Sequence, residues 1–331
     1  MTAPKARSAA PSELPAPGQI ERFAKALERL WPEGDEPLRR LGLAVSGGAD
    51  SLAMLLLADA VIPGRIEVAT IDHGLRPAAA DECVLVARAC ASRGITCETL
   101  AVRVPAGNVQ AAARGARYRA LGAWAEYRGL SAIATAHHAD DQAETLLMRL
   151  NRASGHAGLG GVRERGVVPG SALPLIRPLL GFQRTELAAV VAAAGLIPAA
   201  DPSNFDQRYD RVRMRGALAS AEWLDPSALA ASASHLADGD HALDWAADRE
   251  WRETVVSKTG VLHYRRTAPR AIALRVIGRA LETIGRAPRG QDVARLLARL
   301  EAGEGGNVAG TLATVEGDTW VFRPEPPRGE S

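Results

Sequence analysis

Residues 43–57 read Leu43-Ala44-Val45-Ser46-Gly47-Gly48-Ala49-Asp50-Ser51 and run on into Leu52-Ala53-Met54-Leu55-Leu56-Leu57. A short apolar run enters a glycine turn, and a helix-forming run leaves it. Around this turn the pattern alternates. Apolar runs at Leu41–Val45, Ile66–Ile71, Ile95–Val104 and Ala132–Ala136 are separated by Ala- and Leu-rich stretches with helical spacing. Parallel strands need crossovers of a dozen or more residues, and these stretches supply them. The expected fold is α/β, a doubly wound parallel sheet whose ligands sit at the carboxyl ends of the strands.

Gly47 and Gly48 let backbone N–H groups approach an anion closely. Ser46 and Ser51 add hydroxyls, and the following helix directs its positive end at the same point. The turn therefore reads as a phosphate cradle. No Lys follows in the G-x-x-x-x-G-K pattern, which disfavours kinase and GTPase chemistry. The second strand ends in Asp72-His73, where a capped turn is the competing reading. After the fourth strand comes Ala134-Thr135-Ala136-His137-His138-Ala139-Asp140-Asp141-Gln142-Ala143-Glu144-Thr145. On a helix beginning there, Asp140, Asp141 and Glu144 gather with His137 at the carboxyl edge of the sheet. Such a cluster repels itself unless a cation occupies it, either Mg²⁺ or an ammonium group.

Of the 40 basic residues only Lys5, Lys25 and Lys258 are lysines, and with 38 acids the net charge over 331 residues is +2. A total so near zero is weak support for a nucleic-acid partner. The distribution is more informative, since residues 251–300 carry eleven Arg and Lys against three acids. That stretch, with Arg265, Arg266 and Arg270, is the expected RNA-backbone footprint, and Arg208, Arg211, Arg213 and Arg215 form a second basic run. Cys83, Cys90 and Cys97 contain no C-x-x-C, so neither a disulfide framework nor a zinc or iron–sulfur site is suggested, and Cys83 and Cys90 are expected in a helix core. No apolar run is long enough to span a membrane, and cytoplasm is the expected location.

The expected organisation is a tail at 1–18, a catalytic α/β domain at 19–220, a helical linker at 221–257, a small α+β domain at 258–324 and a tail at 325–331. Residues 151–173, dense in Gly, are expected to form a mobile functional loop. In the small domain a strand (261–264), two helices (269–284 and 291–300) and a hairpin at Gly317-Asp318 are expected.

The S-G-G-x-D-S turn resembles that of the PP-loop ATP pyrophosphatases. Further motifs narrow the resemblance to the tRNA(Ile)-lysidine synthetase family: Asn108-Val109-Gln110-Ala111-Ala112-Ala113-Arg114-Gly115-Ala116-Arg117-Tyr118, the His137 to Thr145 segment, and Asp201-Pro202-Ser203-Asn204 leading to Tyr209 and Arg211. The resemblance covers residues 41 to about 216. It implies a carbon–nitrogen ligase using ATP and Mg²⁺. ATP adenylates O2 of the wobble cytidine in an isoleucine tRNA with a CAU anticodon, and free lysine displaces AMP at C2. It further implies ATP contacts from Ser46, Gly47, Gly48, Ala49, Asp50, Ser51, Asp72, His73 and Arg114, with Asp50 on the metal. Lysine would fall to Asp140, Asp141 and Glu144, tRNA to Arg117 and the basic runs, and catalysis to Asp50, His137, Asp141 and Glu144. Which carboxylate holds which ligand stays open, and a homodimer is the candidate assembly. Two positions depart from the family pattern: Ala153 where Gly is favoured, and Val212 where Asn is commoner. A PP-loop thiolase would need paired cysteines that this chain lacks, and a non-catalytic tRNA-binding protein would have no need of Asp50 and the 140–144 acids.

Overall fold

The computed structural model describes residues 15–72, 74, 77–102, 109–199 and 210–326. They form two compact units divided between His235 and Leu236.

In the first unit the elements are α1 (Pro17–Leu30), β1 (Leu41–Ala44), α2 (Ala49–Val61), β2 (Ile66–Asp72), α3 (Pro77–Ala91), β3 (Thr96–Ala101), α4 (Val109–Tyr127), β4 (Ala132–Ala134), α5 (Ala139–Leu150), α6 (His156–Leu159), β5 (Arg165–Val167), β6 (Pro174–Ile176), α7 (Arg184–Ala193) and α8 (Asp210–Ser220). The sheet order is β3-β2-β1-β4-β6-β5. Every pairing is parallel except β5 with β6. β1 is central, with Leu43 opposite Val68 on one side and Ala134 on the other. The four expected apolar runs thus hold β1 to β4, as a doubly wound sheet requires.

Strand residues alternate between two apolar layers. Leu41 and Leu43 face a core with Phe23, Leu27, Leu52, Leu55, Val86 and Leu187, from α1, α2, α3 and α7. Fully burying a Leu side chain stabilises the fold by about 1.5–3 kcal/mol. On the opposite face Tyr118, Leu121 and Trp124 of α4 pack with Ile133 and Leu175. Gly42 makes this possible: a Cβ there would lie 2.8 Å from the Trp124 ring. α2 stops at Pro63-Gly64, where Gly64 takes φ +74°. Cys83 and Cys90 are buried as expected of core residues.

Residues 151–173 are not the featureless loop expected from their glycines. They contain α6 and β5, because side chains of neighbouring elements satisfy their backbone. The Gln142 amide both donates to Val162 O at 2.8 Å and accepts from Val162 N at 2.6 Å. Arg149 donates to the carbonyls of Gly158 and Gly161. Ala153 takes φ +51°, the left-handed region where glycine is favoured.

α9 (Pro226–Thr254) contains the division between units. The second unit continues with β7 (Val255–Lys258), β8 (Val261–Tyr264), α10 (Arg270–Ile284), α11 (Gly290–Glu301), β9 (Gly306–Val308), β10 (Thr311–Glu316) and β11 (Thr319–Pro324). Its antiparallel sheet has the order β7-β8-β11-β10-β9. The hairpin turns at Gly317-Asp318, with Gly317 at φ +61°. Leu262, Tyr264, Val276, Leu281, Leu296 and Phe322 form the core. β7 and β9 had no separate signal in the sequence; each is short and completes a sheet edge.

Candidate nucleotide and acceptor site

The carboxyl ends of β1, β2 and β4 deliver the residues singled out above. After β1, Gly47 takes φ +85° and Gly48 is the extended N-cap of α2. A Cβ on Gly47 would meet Glu82 O at 3.4 Å, near ordinary contact distance, so it is the backbone conformation that calls for glycine. The Ser51 hydroxyl, nearly buried, donates to Gly48 O at 2.9 Å and accepts from Ser46 N at 3.1 Å. It holds the loop in shape, and the Ser46 hydroxyl lies 3.3 Å from it. At the end of β2, Asp72 Oδ1 accepts from Gly74 N at 2.8 Å, the capped turn that was its competing reading. His73 lies outside the described residues, as do Asn108 and 200–209.

At the start of α5 a histidine occupies the centre of the acids. His138, 1% exposed, has Nε2 3.4 Å from Asp50 Oδ2 and 3.5 Å from Asp141 Oδ2, while Nδ1 is 3.4 Å from Asp140 Oδ2. Burial alone would drive off its proton; the interactions with Asp140, Asp50 and Asp141 reverse this and raise its pKa to about 9. The imidazolium is thus the cation that lets three carboxylates coexist. Asp140, opposed by burial but favoured by His138 and by the Arg184 N–H at 2.9 Å, is lowered to about 2. Asp141 is also lowered, against burial, by the charges of His138 and Arg211. His137 behaves oppositely. Burial, with Arg177, Arg211 and Arg114 nearby, lowers it to about 4, and its Nδ1 lies 3.1 Å from the Thr135 hydroxyl. It is neutral at pH 7.

Glu144 stands apart from these acids. Its carboxylate is 1% exposed and meets Arg215 Nε at 2.8 Å, Arg211 Nε at 3.2 Å and Arg184 Nη2 at 3.5 Å. Beside α2, α5, α7 and α8 opens a cavity of about 840 Å³, with Gly48, Asp50, His138, Asp141, Arg184, Arg213 and Arg215 in its wall. Ala188, Pro198, Ala199, Val212 and Ala219 make its apolar side. Arg114, on α4, is exposed with its guanidinium 5.1 Å from the Tyr118 ring centre, and Arg117 lies 5.3 Å from the same ring. Neither is in the cavity wall.

Two residues in the site escaped the sequence reading. His138 lies inside the quoted motif, where its neighbour His137 drew the attention. Arg184 offered no signal beyond its place before a helical run.

In the second unit Arg266 and Arg270 pair with Glu301, and Arg266 lies 5.8 Å from the Trp320 ring centre. Arg275 pairs with Asp240 and Asp244, and Arg279 with Asp248. Leu236–Ser331 holds 14 basic and 14 acidic residues, so the excess within 251–300 is balanced by its flanks. Among the described residues, Lys258, Arg265, Arg286 and Arg289 have no carboxylate within 4.0 Å.

The PP-loop domain family matches residues 19–222. The tRNA(Ile)-lysidine synthase of Novosphingobium aromaticivorans is 48% identical over 93% of this chain and 94% of its own length. That of Zymomonas mobilis is 40% identical over 87% and 89%. Among solved structures, a U34-tRNA thiolase from Methanococcus maripaludis has a TM-score of 0.52 at 16% identity, covering 65% of this chain and 76% of its own, a likeness of fold.

Proposed function

The chain belongs to the tRNA(Ile)-lysidine synthase family and carries its PP-loop domain, and from that premise we propose that it joins lysine to the wobble cytidine of a CAU-anticodon isoleucine tRNA, using ATP. One observation carries the assignment of the site: Asp50 of the phosphate loop and Asp141 of the α5 start, 3.4 and 3.5 Å from the same buried His138, face one cavity.

The chemistry asks for an anion cradle beside an acidic acceptor, and these residues supply both. Gly47, Gly48 and the N-terminus of α2 receive the pyrophosphate of ATP through backbone N–H groups. O2 of the cytidine attacks the α-phosphorus and pyrophosphate departs. The lysine ε-amine then attacks C2, and AMP departs with the former O2. That amine reaches the site as an ammonium, for which Asp141, with Asp140 beside it, is the receiving pair. It must lose a proton before attack, and neutral His137 or Asp141 takes it. The unpaired bases of an anticodon loop can enter a pocket without melting a duplex.

Asp50 Oδ1 is buried and has no hydrogen-bond partner, so it suits a cation. Mg²⁺ would be held there and would neutralise pyrophosphate charge. Among the described residues no three His, Cys, Asp or Glu side chains are arranged so that together they could hold a metal ion, so phosphate and water would supply its other ligands. Among the described residues no helix is long and apolar enough to cross a membrane. On its likeness to tRNA-modifying relatives we place the enzyme in the cytoplasm. A homodimer remains the assembly to be tested, by light scattering.

Incubation with ATP, Mg²⁺, radiolabelled lysine and a panel of tRNA transcripts tests the reading. The expected result is lysine in the CAU isoleucine transcript alone, with AMP formed in equal amount. Absence of incorporation, or equal labelling of the methionine transcript with the same anticodon, would overturn it.

A further inference from the structure

Arg177 directly follows β6 and is only 8% exposed. β6 pairs with β4 through Ile176 and Ala134, and Thr135 N donates to Ile176 O at 3.0 Å, so Arg177 stands beside the segment leading from β4 to His137. Its Nη1 donates to the carbonyl of Arg163, and its Nε is buried with no hydrogen-bond partner. Among the described residues no carboxylate lies within 4.0 Å of it. Burial works against its charge, and the charge of Arg114 adds to this. Arginine is rarely buried to this degree without a partner of opposite sign.

The neighbours of Arg177 carry the same sign. Tyr118 of α4 packs with Leu175 of β6 in one apolar layer. Its hydroxyl is near enough to Arg177 to favour the charge, yet the pair lacks hydrogen-bond geometry and the hydroxyl is buried without a partner. Over the same ring stand the guanidinium groups of Arg114 at 5.1 Å and Arg117 at 5.3 Å, and among the described residues neither has a carboxylate within 4.0 Å. Contact with the ring face offsets only part of the repulsion among them. Three positive charges thus gather at one tyrosine, Arg177 buried, Arg117 half-buried and Arg114 exposed. Arg177 Nε and Tyr118 Oη are free to donate, which is the chemistry of a phosphate site.

The sheet order separates this cluster from the phosphate loop. The loop follows β1, and β4 lies between β1 and β6. Two strand spacings, roughly 10 Å, therefore part Arg177 from the loop, on the side away from β2. An unpaired nucleotide placed over β4 carries a backbone phosphate with it, and that phosphate falls on the β6 side. We propose that Arg177 and Tyr118 Oη, with Arg114 and Arg117 toward the surface, bind the phosphodiester that adjoins the wobble cytidine. This rests on the tRNA reading above. The α-phosphate of ATP shares the chemistry, and the test separates the two sources.

The test is filter retention of the CAU isoleucine transcript by the full chain and by Arg177→Met and Arg177→Lys, without ATP or lysine. Arg177→Met should raise the tRNA Kd about tenfold and flatten its salt dependence by about one counterion. ATP binding, read by calorimetry without tRNA, should stay within about twofold. Arg177→Lys should restore the salt dependence but only part of the affinity, because an ammonium lacks the planar fork. Removing an uncompensated buried charge should leave the melting temperature of Arg177→Met at or above wild type. A fall of several degrees would mark a structural arginine and count against the proposal. A tRNA with one uncharged methylphosphonate beside the wobble cytidine should bind wild type about tenfold more weakly at one of the two linkages, and Arg177→Met should not distinguish it from unmodified tRNA. An unchanged tRNA Kd in Arg177→Met overturns the proposal, and a loss confined to ATP overturns the choice of source. If Arg177→Met fails to fold, the methylphosphonate series on wild type decides, with no sensitive linkage beside the cytidine overturning the site. A wild type that does not retain this transcript would instead overturn the tRNA reading, and the site with it.

Discussion

His138 Nε2 lies 3.4 Å from Asp50 Oδ2, joining the start of α5 to the start of α2 across the phosphate loop. Removing one partner of a buried pair leaves its opposite charge uncompensated. His138→Gln should therefore lower the melting temperature by several degrees without Mg²⁺, and added Mg²⁺ should restore part of the loss. Asp50→Ala should abolish lysine transfer while tRNA retention on filters stays near wild type. Normal turnover of that variant would remove Asp50 from the site.

Ala153 occupies φ +51°, where a side chain costs about 1–2 kcal/mol relative to a right-handed conformation. Ala153→Gly should stabilise the first unit by about 0.5–1 kcal/mol, since glycine's greater freedom in the unfolded chain offsets part of the relief. Urea unfolding measures this, and a destabilised variant would mean that the methyl group contributes packing.

Basic residues of the second unit differ in their commitments. Arg265 and Lys258 have no carboxylate partner among the described residues, whereas Arg266 and Arg270 share Glu301. Replacing Arg265 and Lys258 by Ala should flatten the dependence of tRNA affinity on salt by up to about two counterions. Replacing Arg266 and Arg270 should change that slope less and lower stability by about 1 kcal/mol. Equal slopes for the two pairs would contradict the distinction.

Glu250, nearly buried, accepts from Tyr264 Oη at 3.1 Å, Thr267 N at 2.9 Å, Thr267 Oγ1 at 2.8 Å and Ala268 N at 3.1 Å. Burial opposes its charge, but these donors outweigh it and hold its pKa below the usual 4.5. A carboxylate with a lower pKa in the folded state stabilises above the unfolded value and ceases to do so as pH falls through the folded one. The second unit should thus lose stability on acidification below about pH 4.5, and Glu250→Gln should weaken that dependence while costing about 1–3 kcal/mol at neutral pH. Thermal melts of both proteins across this range decide it; parallel curves would exclude Glu250 as a contributor.

The strand and helix alternation from Leu41 to Ala136 was legible because it follows from local periodicity and from the crossover length that parallel strands need. The phosphate loop was legible for a similar reason: glycine at φ +85° followed by a helix N-terminus is a short-range property of Gly47 and Gly48. Residues 151–173 were not, since their order comes from Gln142 and Arg149 bonding to their backbone, and glycine content says nothing of a distant donor.

The acids show the same division more sharply. By itself the sequence determined that Asp140, Asp141 and Glu144 stand at one helix start after β4, at the sheet edge shared with Asp50. Only the tertiary structure decided their environments. His138 serves Asp50, Asp140 and Asp141, while Glu144 is taken by Arg184 and Arg215, 40 and 71 residues further along the chain. Charge pairing acts through space over a few ångströms, and spacing along a helix cannot tell which cations another helix will bring to it.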